Sequence, residues 1–146
     1  MADQETLLNL AADEAAVAAF LVGCGGRLVR DEADPAAYWL AVRPGSATHE
    51  TYYVKVTWSV YPGQAPSVKF ADGIGGPVTS TRAWPVIPGY RPTSFDICKP
   101  FTAEGFALHQ EWQAGPDAWP TEGNPFLWVV EMLQYDLDNS YAGRAA

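Results

Sequence analysis

The chain has 146 residues, of which 48% are hydrophobic and 18% charged, and its formal net charge is -8. This length and apolar content suffice for one folded domain spanning residues 1–146 and exclude a wholly disordered chain. The acidic balance argues against nucleic acid or an anionic membrane as a partner, because nine scattered cations do not form the basic patch that either requires.

The amino-terminal residues lack the features of a targeting segment. Residues 1–6 are acidic, whereas a secretory signal begins with cations, and the longest uninterrupted apolar run is too short to span a bilayer. The two cysteines, Cys24 and Cys98, neither make a disulfide framework nor follow metal-site spacing. We therefore expect a cytoplasmic protein with reduced thiols, no metal and no cofactor.

The first element in chain order is a helix over residues 4–22. Its apolar residues recur at spacings of three and four among strong helix formers, and glycines directly after it end the helix. Short strands are predicted at 27–30 and 38–42. This part of the chain therefore predicts a helix followed by the start of a sheet.

The next strands are marked by alternation and by turn residues. Residues 52–60 alternate between apolar and polar side chains, which is typical of a strand with one face on a core. After a proline-glycine turn, a short strand follows at 67–71. Residues 72–100 have no period and are rich in proline, so we expect a long ordered loop anchored by its own aromatic side chains.

The last part of the chain predicts two helices. The first covers residues 103–113, and the second begins at Asn124-Pro125, an N-cap and a first-turn proline, and runs to Leu137. Residues 138–146 are predicted to be a frayed tail. The order of elements gives the α+β class, in which an amino-terminal helix and a later helix flank an antiparallel meander sheet.

Several motifs together resemble the ubiquitin-conjugating enzyme (E2) family and its UBC-like fold. The strand ending at Tyr61-Pro62, followed by Pro-Ser-Val-Lys-Phe at 66–70, is similar to the family's Tyr-Pro turn and Pro-x-Val-x-Phe signature. Ile97-Cys98 resembles the Ile-Cys pair at the family's thioester cysteine. Trp119-Pro120, before the last helix, resembles the segment that follows that cysteine. The resemblance extends over most of the chain.

The chain also departs from the family pattern. The His-Pro-Asn tripeptide that typical members carry before the cysteine is replaced by Pro88-Gly89-Tyr90. The usual Cys-Leu is Cys98-Lys99, and an insertion that contains His109 separates this pair from Trp119. One helix follows where typical members have several. The resemblance is therefore to divergent bacterial E2-like proteins.

The resemblance implies a thioester-forming acyltransferase in a bacterial ubiquitin-like conjugation pathway. Cys98 would accept the carboxyl-terminal acyl group of a ubiquitin-like protein from an E1-like activating enzyme and pass it on. A thiol suits this role because the thiolate attacks readily and its thioester stays activated toward amines. Lys99 would favour the thiolate by its charge. Without the resemblance, Cys98 is equally explained as a small buried residue between Ile97 and Pro100.

Four further side chains are candidates for supporting roles. His109 is a candidate general base or oxyanion donor, and Tyr90 a candidate hydrogen-bond donor in place of the missing asparagine. Asp96 and Asp117 are candidates for orienting a histidine or deprotonating an incoming amine. Each also has an ordinary explanation, namely a surface histidine, a tyrosine that anchors a loop, and solvated carboxylates.

Two other functions fit the same residues. The missing His-Pro-Asn tripeptide and the shortened carboxy-terminal region favour a non-catalytic E2-variant or RWD-like module that binds a protein partner. A cysteine hydrolase that uses Cys98 and His109 is the third hypothesis, for which the sequence has no recognisable nucleophile elbow.

Overall fold

The first helix, α1, spans Gln4–Gly23 in the computed structural model, which describes residues 2–146. Asp3 caps it, because its carboxylate accepts a hydrogen bond from the Thr6 backbone N–H at 2.9 Å. A negative charge at this end also interacts favourably with the helix dipole. The predicted amino-terminal helix is confirmed.

Four strands follow as an antiparallel meander, in the spatial order β1-β2-β3-β4. They span Arg27–Arg30, Ala37–Val42, Tyr52–Thr57 and Ser67–Ala71. The register aligns Leu28, Leu40, Val54 and Phe70 in one row across the sheet. The α+β class with a four-stranded antiparallel sheet is therefore confirmed.

The strand β3 ends at Thr57, although the alternation of side chains predicted a strand through residue 60. Trp58 continues its core face at 2% exposure, but Val60 is 45% exposed. The Trp58 backbone N–H donates to the carbonyl oxygen of Ala36, the residue before β2, at 2.9 Å. No partner strand continues past that point. The chain therefore turns, and the predicted core position of Val60 is wrong.

The last helix, α3, spans Pro125–Asn139. Its Asn124 cap accepts a hydrogen bond from the Leu127 N–H at 2.9 Å and donates one to the Asp13 carbonyl oxygen at 3.0 Å. Both helices contribute to the core on the inner face of the sheet, through buried Leu10, Val17, Leu21, Phe126, Val129, Val130, Leu133 and Leu137. The carboxy-terminal helix and its start signal are confirmed.

Tyr61, in the turn after β3, links the two long helices. Its hydroxyl donates to the Asp13 carboxylate on α1 and accepts the Phe126 N–H of α3 at 3.2 Å. Its own N–H donates to the Thr6 hydroxyl oxygen at 3.1 Å. Burial, and then the hydrogen bond to Asp13, raises the pKa of Tyr61 above its ordinary value. This turn is therefore tied to both helices at once.

The segment between β4 and α3 is irregular except for short elements. They are the 3₁₀ turns Thr81–Ala83 and Gln110–Ala114, the strands β5 (Tyr90–Arg91) and β6 (Asp96–Ile97), and the helix α2 (Ala103–Leu108). The predicted long loop thus contains a two-stranded hairpin. The predicted helix 103–113 is two pieces, because His109 has φ -130° and ψ 67° and leaves the helical region.

Residues 138–146, predicted to be a frayed tail, are hydrogen-bonded to the domain. The helix α3 continues through Asn139, and residues 142–145 then pair with residues 84–86. Three backbone hydrogen bonds of 2.7 to 2.9 Å make this pairing, and Ala145 is only 8% exposed. Backbone pairing of this kind leaves no periodic pattern in the side chains, so no residue pattern predicted it.

The helix α1 is long and apolar enough to cross a membrane by length and composition, and it is the one such helix among residues 2–146. The absence of a long uninterrupted apolar run in the sequence therefore did not reveal this helix as a candidate membrane span. One such helix is weak evidence for a membrane span, because a buried core helix and an amino-terminal signal sequence pass the same test, and only 22% of the apolar stretch of α1 is buried. Its central acids are bound within the domain, Asp13 by Tyr61 and Glu14 by Arg30.

Gly26, at the junction between α1 and β1, leaves no space for a side chain. A Cβ at this position would lie 2.1 Å from the Ala41 carbonyl oxygen. We expect Gly26→Ala to lower the free energy of unfolding by about 1–3 kcal/mol, measured by urea denaturation. Gly23→Ala is the matched control, since nothing lies within 4 Å of a Cβ there. An unchanged stability in Gly26→Ala would contradict the described packing.

Candidate functional site

Cys98 lies directly after β6, at the open end of the β5-β6 hairpin. Its backbone N–H donates to the Gly89 carbonyl oxygen at 2.8 Å, which extends the hairpin by one position. Tyr90 and Ile97, paired in the hairpin, face the core and are 5% and 0% exposed. Cys98 itself is half-buried.

Gly89 lies across the hairpin from Cys98. Its φ of +88° is a conformation that L side chains rarely adopt. A Cβ here would also lie 2.9 Å from Lys99 Cε and 3.2 Å from the Cys98 carbonyl oxygen. Backbone geometry and space therefore both require glycine, and no side chain of residue 89 covers the cysteine.

The two outward-facing hairpin residues, Arg91 and Asp96, form an ion pair. Arg91 Nε and one terminal nitrogen donate to the two Asp96 oxygens at 2.6 and 2.7 Å, and the Ser94 hydroxyl donates to the same carboxylate at 3.1 Å. Burial alone would raise the pKa of Asp96, but the hydrogen bonds from Arg91 and Ser94 outweigh it and lower this pKa. Asp96 is therefore held ionised and oriented by its neighbours.

Arg91 is the functional candidate that the sequence reasoning missed. Its pKa is raised mainly by the hydrogen bond to Asp96. Because side chains alternate along a strand, Arg91, Asp96 and Cys98 belong to the outward-facing side of the hairpin, opposite the buried Tyr90 and Ile97. The sequence carried no signal for Arg91, because the hairpin register that places residue 91 opposite residue 96, two positions before Cys98, is visible only in the structure.

A lysine of the four-stranded sheet holds the tip of the hairpin. Phe95 has φ +59°, which is unusual for a residue with a side chain. Lys69 of β4 donates through its Nζ to the Phe95 carbonyl oxygen at 2.6 Å. The hairpin that carries Cys98 is thus anchored to β4 as well as to the core.

The side chain of Tyr90 faces into the domain. Its hydroxyl donates to Asp136 of α3 at 2.8 Å, and both residues are buried. Burial raises the pKa of Asp136, and the Tyr90 hydrogen bond and the Lys99 charge offset part of this effect. Burial, followed by the charge of Asp136, holds the pKa of Tyr90 well above its ordinary range. The single hydroxyl proton of Tyr90 is committed to Asp136.

Lys99 is held beneath α2. The Thr102 N–H donates to the Lys99 carbonyl oxygen at 3.2 Å, and the Thr102 hydroxyl donates to the Ile97 carbonyl oxygen at 2.6 Å. A Cβ at Gly105 would lie 2.2 Å from the Lys99 carbonyl oxygen. The backbone on both sides of Cys98 is therefore fixed, and α2 packs directly on the residue that follows the cysteine.

His109 and Asp117 lie apart from the hairpin. His109 Nδ1 is 3.0 Å from the Glu111 carboxylate, and its ring stacks on Trp112 with 4.4 Å between ring centroids. Asp117 is exposed in the loop before α3. Within residues 2–146, neither side chain is hydrogen-bonded to Cys98. The structure therefore brings Asp96 and Lys99 beside the cysteine, but gives no contact between it and His109 or Asp117.

Comparisons of the chain with family models, with curated proteins and with solved structures found no match. Within residues 2–146, no group of three or more His, Cys, Asp or Glu side chains is arranged to hold a metal ion. The chemistry available at the hairpin is that of the thiol of a half-buried cysteine, with the Arg91–Asp96 ion pair in the same hairpin. These features suit a nucleophile for acyl groups.

We expect Asp136→Asn to change the pH dependence of stability. The folded protein raises the pKa of this carboxyl above 3.8, so stability falls as pH rises through the interval between the unfolded and folded pKa values. The amide cannot ionise, and it still offers an oxygen to the Tyr90 hydroxyl. The free energy of unfolding of the variant, minus that of the wild type, should therefore be more positive at about pH 7 than at about pH 3.5.

Urea denaturation at a series of pH values measures this difference. Asp117→Asn, which removes an exposed carboxyl, is the control variant for the loss of one acid. A difference for Asp136→Asn that is also independent of pH would show that burial does not perturb this carboxyl.

Proposed function

We propose that this chain is a UBC-like acyl carrier in which Cys98 forms a thioester with the carboxyl terminus of a ubiquitin-like protein. The observation that carries the proposal is the position of Cys98, a half-buried residue at the open end of a hairpin, whose backbone N–H pairs with the Gly89 carbonyl oxygen. The motifs that resemble the E2 family support it, and the α+β arrangement is compatible with it.

The carrier step exchanges one thioester for another. The Cys98 thiolate attacks the thioester carbonyl carbon on the activating enzyme, a new carbon–sulfur bond forms, and the enzyme's own sulfur leaves as a thiolate. In the second step an acceptor amine attacks the Cys98 thioester. An amide forms, Cys98 leaves as a thiolate, and the amine gives up a proton to solvent. No change of oxidation state is involved.

The residues around Cys98 have distinct roles in this proposal. Arg91 and Asp96 form a bidentate ion pair on the outer side of the hairpin that carries the cysteine. Tyr90 holds the hairpin against α3 through Asp136, and we give it no part in proton transfer because its proton is already donated. Gly89 pairs with the backbone of Cys98 and so helps to fix its position.

The second candidate is a non-catalytic module that binds a protein partner. One observation favours it: the Cys98 thiol makes no hydrogen bond to His109 or to Tyr90. The His109 ring is bound to Glu111, and the Tyr90 hydroxyl is bound to Asp136. The same observation speaks against the cysteine hydrolase, since its base must reach the nucleophile.

The decisive experiment is a charging assay with ATP and with each pair of an E1-like activating enzyme and a ubiquitin-like protein that the source organism encodes. We expect an adduct that a thiol reductant removes, seen by non-reducing electrophoresis and by intact mass. Cys98→Ala should abolish it and Cys98→Ser should convert it to a reductant-resistant ester. Cys24→Ala is the matched control and should be charged like the wild type.

Two outcomes would contradict the acyl carrier. One is an adduct that persists in Cys98→Ala. The other is no adduct with the wild type while the activating enzyme itself is shown to be charged. In that second case, saturable binding of the ubiquitin-like protein to Cys98→Ala would support the non-catalytic module.

A further inference from the structure

The carboxy-terminal segment, residues 141–146, is built into the domain beside the loop that leads to Cys98. Its backbone pairs with residues 84–86 through alternating donors and acceptors: Ala142 and Ala145 donate, and Gly143 accepts from Val86. We call this segment the strap. The pairing is antiparallel, as in a sheet, and it satisfies backbone groups of both segments.

The side chain of Arg144 also holds the strap in place. Its guanidinium group donates to the Arg82 carbonyl oxygen at 2.8 Å, the Glu50 carboxylate at 3.1 Å and the Thr51 carbonyl oxygen at 3.2 Å. It also lies over the Tyr52 ring, 4.1 Å from the centroid. Four groups from two separate parts of the chain therefore converge on one side chain.

Tyr141 fastens the start of the strap. Its hydroxyl is 2.7 Å from the hydroxyl of Tyr52, and the two rings pack edge to face at 5.8 Å between centroids. The strap is thus attached at both ends to the first residue of β3, and along its middle to residues 84–86.

The residues held by the strap are close in the chain to the cysteine's partner. Val86 is followed by Ile87, which is 3% exposed and accepts a hydrogen bond from the Tyr90 N–H at 3.0 Å. Gly89, between them, accepts the Cys98 N–H. Fixing residues 84–86 therefore restricts the loop that forms one side of the Cys98 environment.

We infer that the strap is a positioning device that sets how accessible the Cys98 thiol is. When the strap is paired, residues 84–89 hold one conformation and the thiol stays half-buried. When it detaches, this loop gains freedom and the thiol meets solvent more often. The inference concerns the thiol's accessibility alone, so it stands or falls independently of acyl transfer.

The test compares Arg144→Gln with Arg82→Gln in the full chain. Both remove one cation, but the Arg82 contribution to the strap is its carbonyl oxygen, which the substitution leaves in place. Alkylation of Cys98 by iodoacetamide is followed by mass spectrometry, with Cys24 in the same molecule as the reference thiol. Hydrogen exchange is measured at the amides of Val86, Ala142 and Ala145.

We expect Arg144→Gln to speed exchange at these three amides by about ten-fold, because local opening becomes easier without global unfolding. Cys98 should be alkylated several-fold faster, and Cys24 at an unchanged rate. Arg82→Gln should behave like the wild type. A chain lacking residues 141–146 should show a larger effect in the same direction.

Two results would overturn the inference. The first is wild-type alkylation of Cys98 in both the Arg144→Gln variant and the shortened chain. The second is an equal acceleration at Cys24 together with faster exchange throughout α1, which would mean that the strap supports the whole domain without a specific effect on the cysteine.

Discussion

A buried hydroxyl group, that of Tyr61, is shared between the two long helices of this domain. It donates to the Asp13 carboxylate on α1 and accepts the Phe126 N–H in the first turn of α3, where a helix has donors without partners of its own. Removing such a group leaves buried partners unsatisfied, which costs about 1–3 kcal/mol per group. The geometry of both helices on the sheet therefore depends on one turn.

The placement of α3 is transmitted to the hairpin that carries Cys98. Asp136, near the end of α3, accepts the Tyr90 hydroxyl, and Tyr90 begins the hairpin. The sheet holds the other side of the same hairpin through Lys69 and the Phe95 carbonyl oxygen. The cysteine is thus located by contacts from the sheet, from α3 and from α2, although it belongs to the least regular part of the chain.

The sequence predicted what depends on repeated side-chain patterns. The spacing of apolar residues located α1, the Asn124-Pro125 pair located the start of α3, and alternation located β3. The β5-β6 hairpin has two residues in each strand, which is too short for any period to be visible.

The candidate site was predicted only in part, for a related reason. Cys98 was proposed from the motifs that resemble the E2 family, and Asp96 and Lys99 from their adjacency to it. The direction of Tyr90 and the ion pair of Arg91 depend on the hairpin register, which the sequence does not reveal. His109 is at the break that ends α2, where its ring is bound to Glu111 and not to Cys98, and no residue pattern predicts that break. Long-range backbone and side-chain pairing decided each of these points.

The strap and Asp136 also determine when the cysteine environment is completed during synthesis. The groups that hold residues 84–90 come from positions 136 and 142–145, far later in the chain. A ribosome adds about 5–20 residues each second, so the cysteine exists for seconds on a loop whose anchors have not yet been made. Contacts of such sequence separation also form late, since the chain must close a long loop first. The nascent protein therefore passes through a stage in which the thiol is present and its surroundings are not.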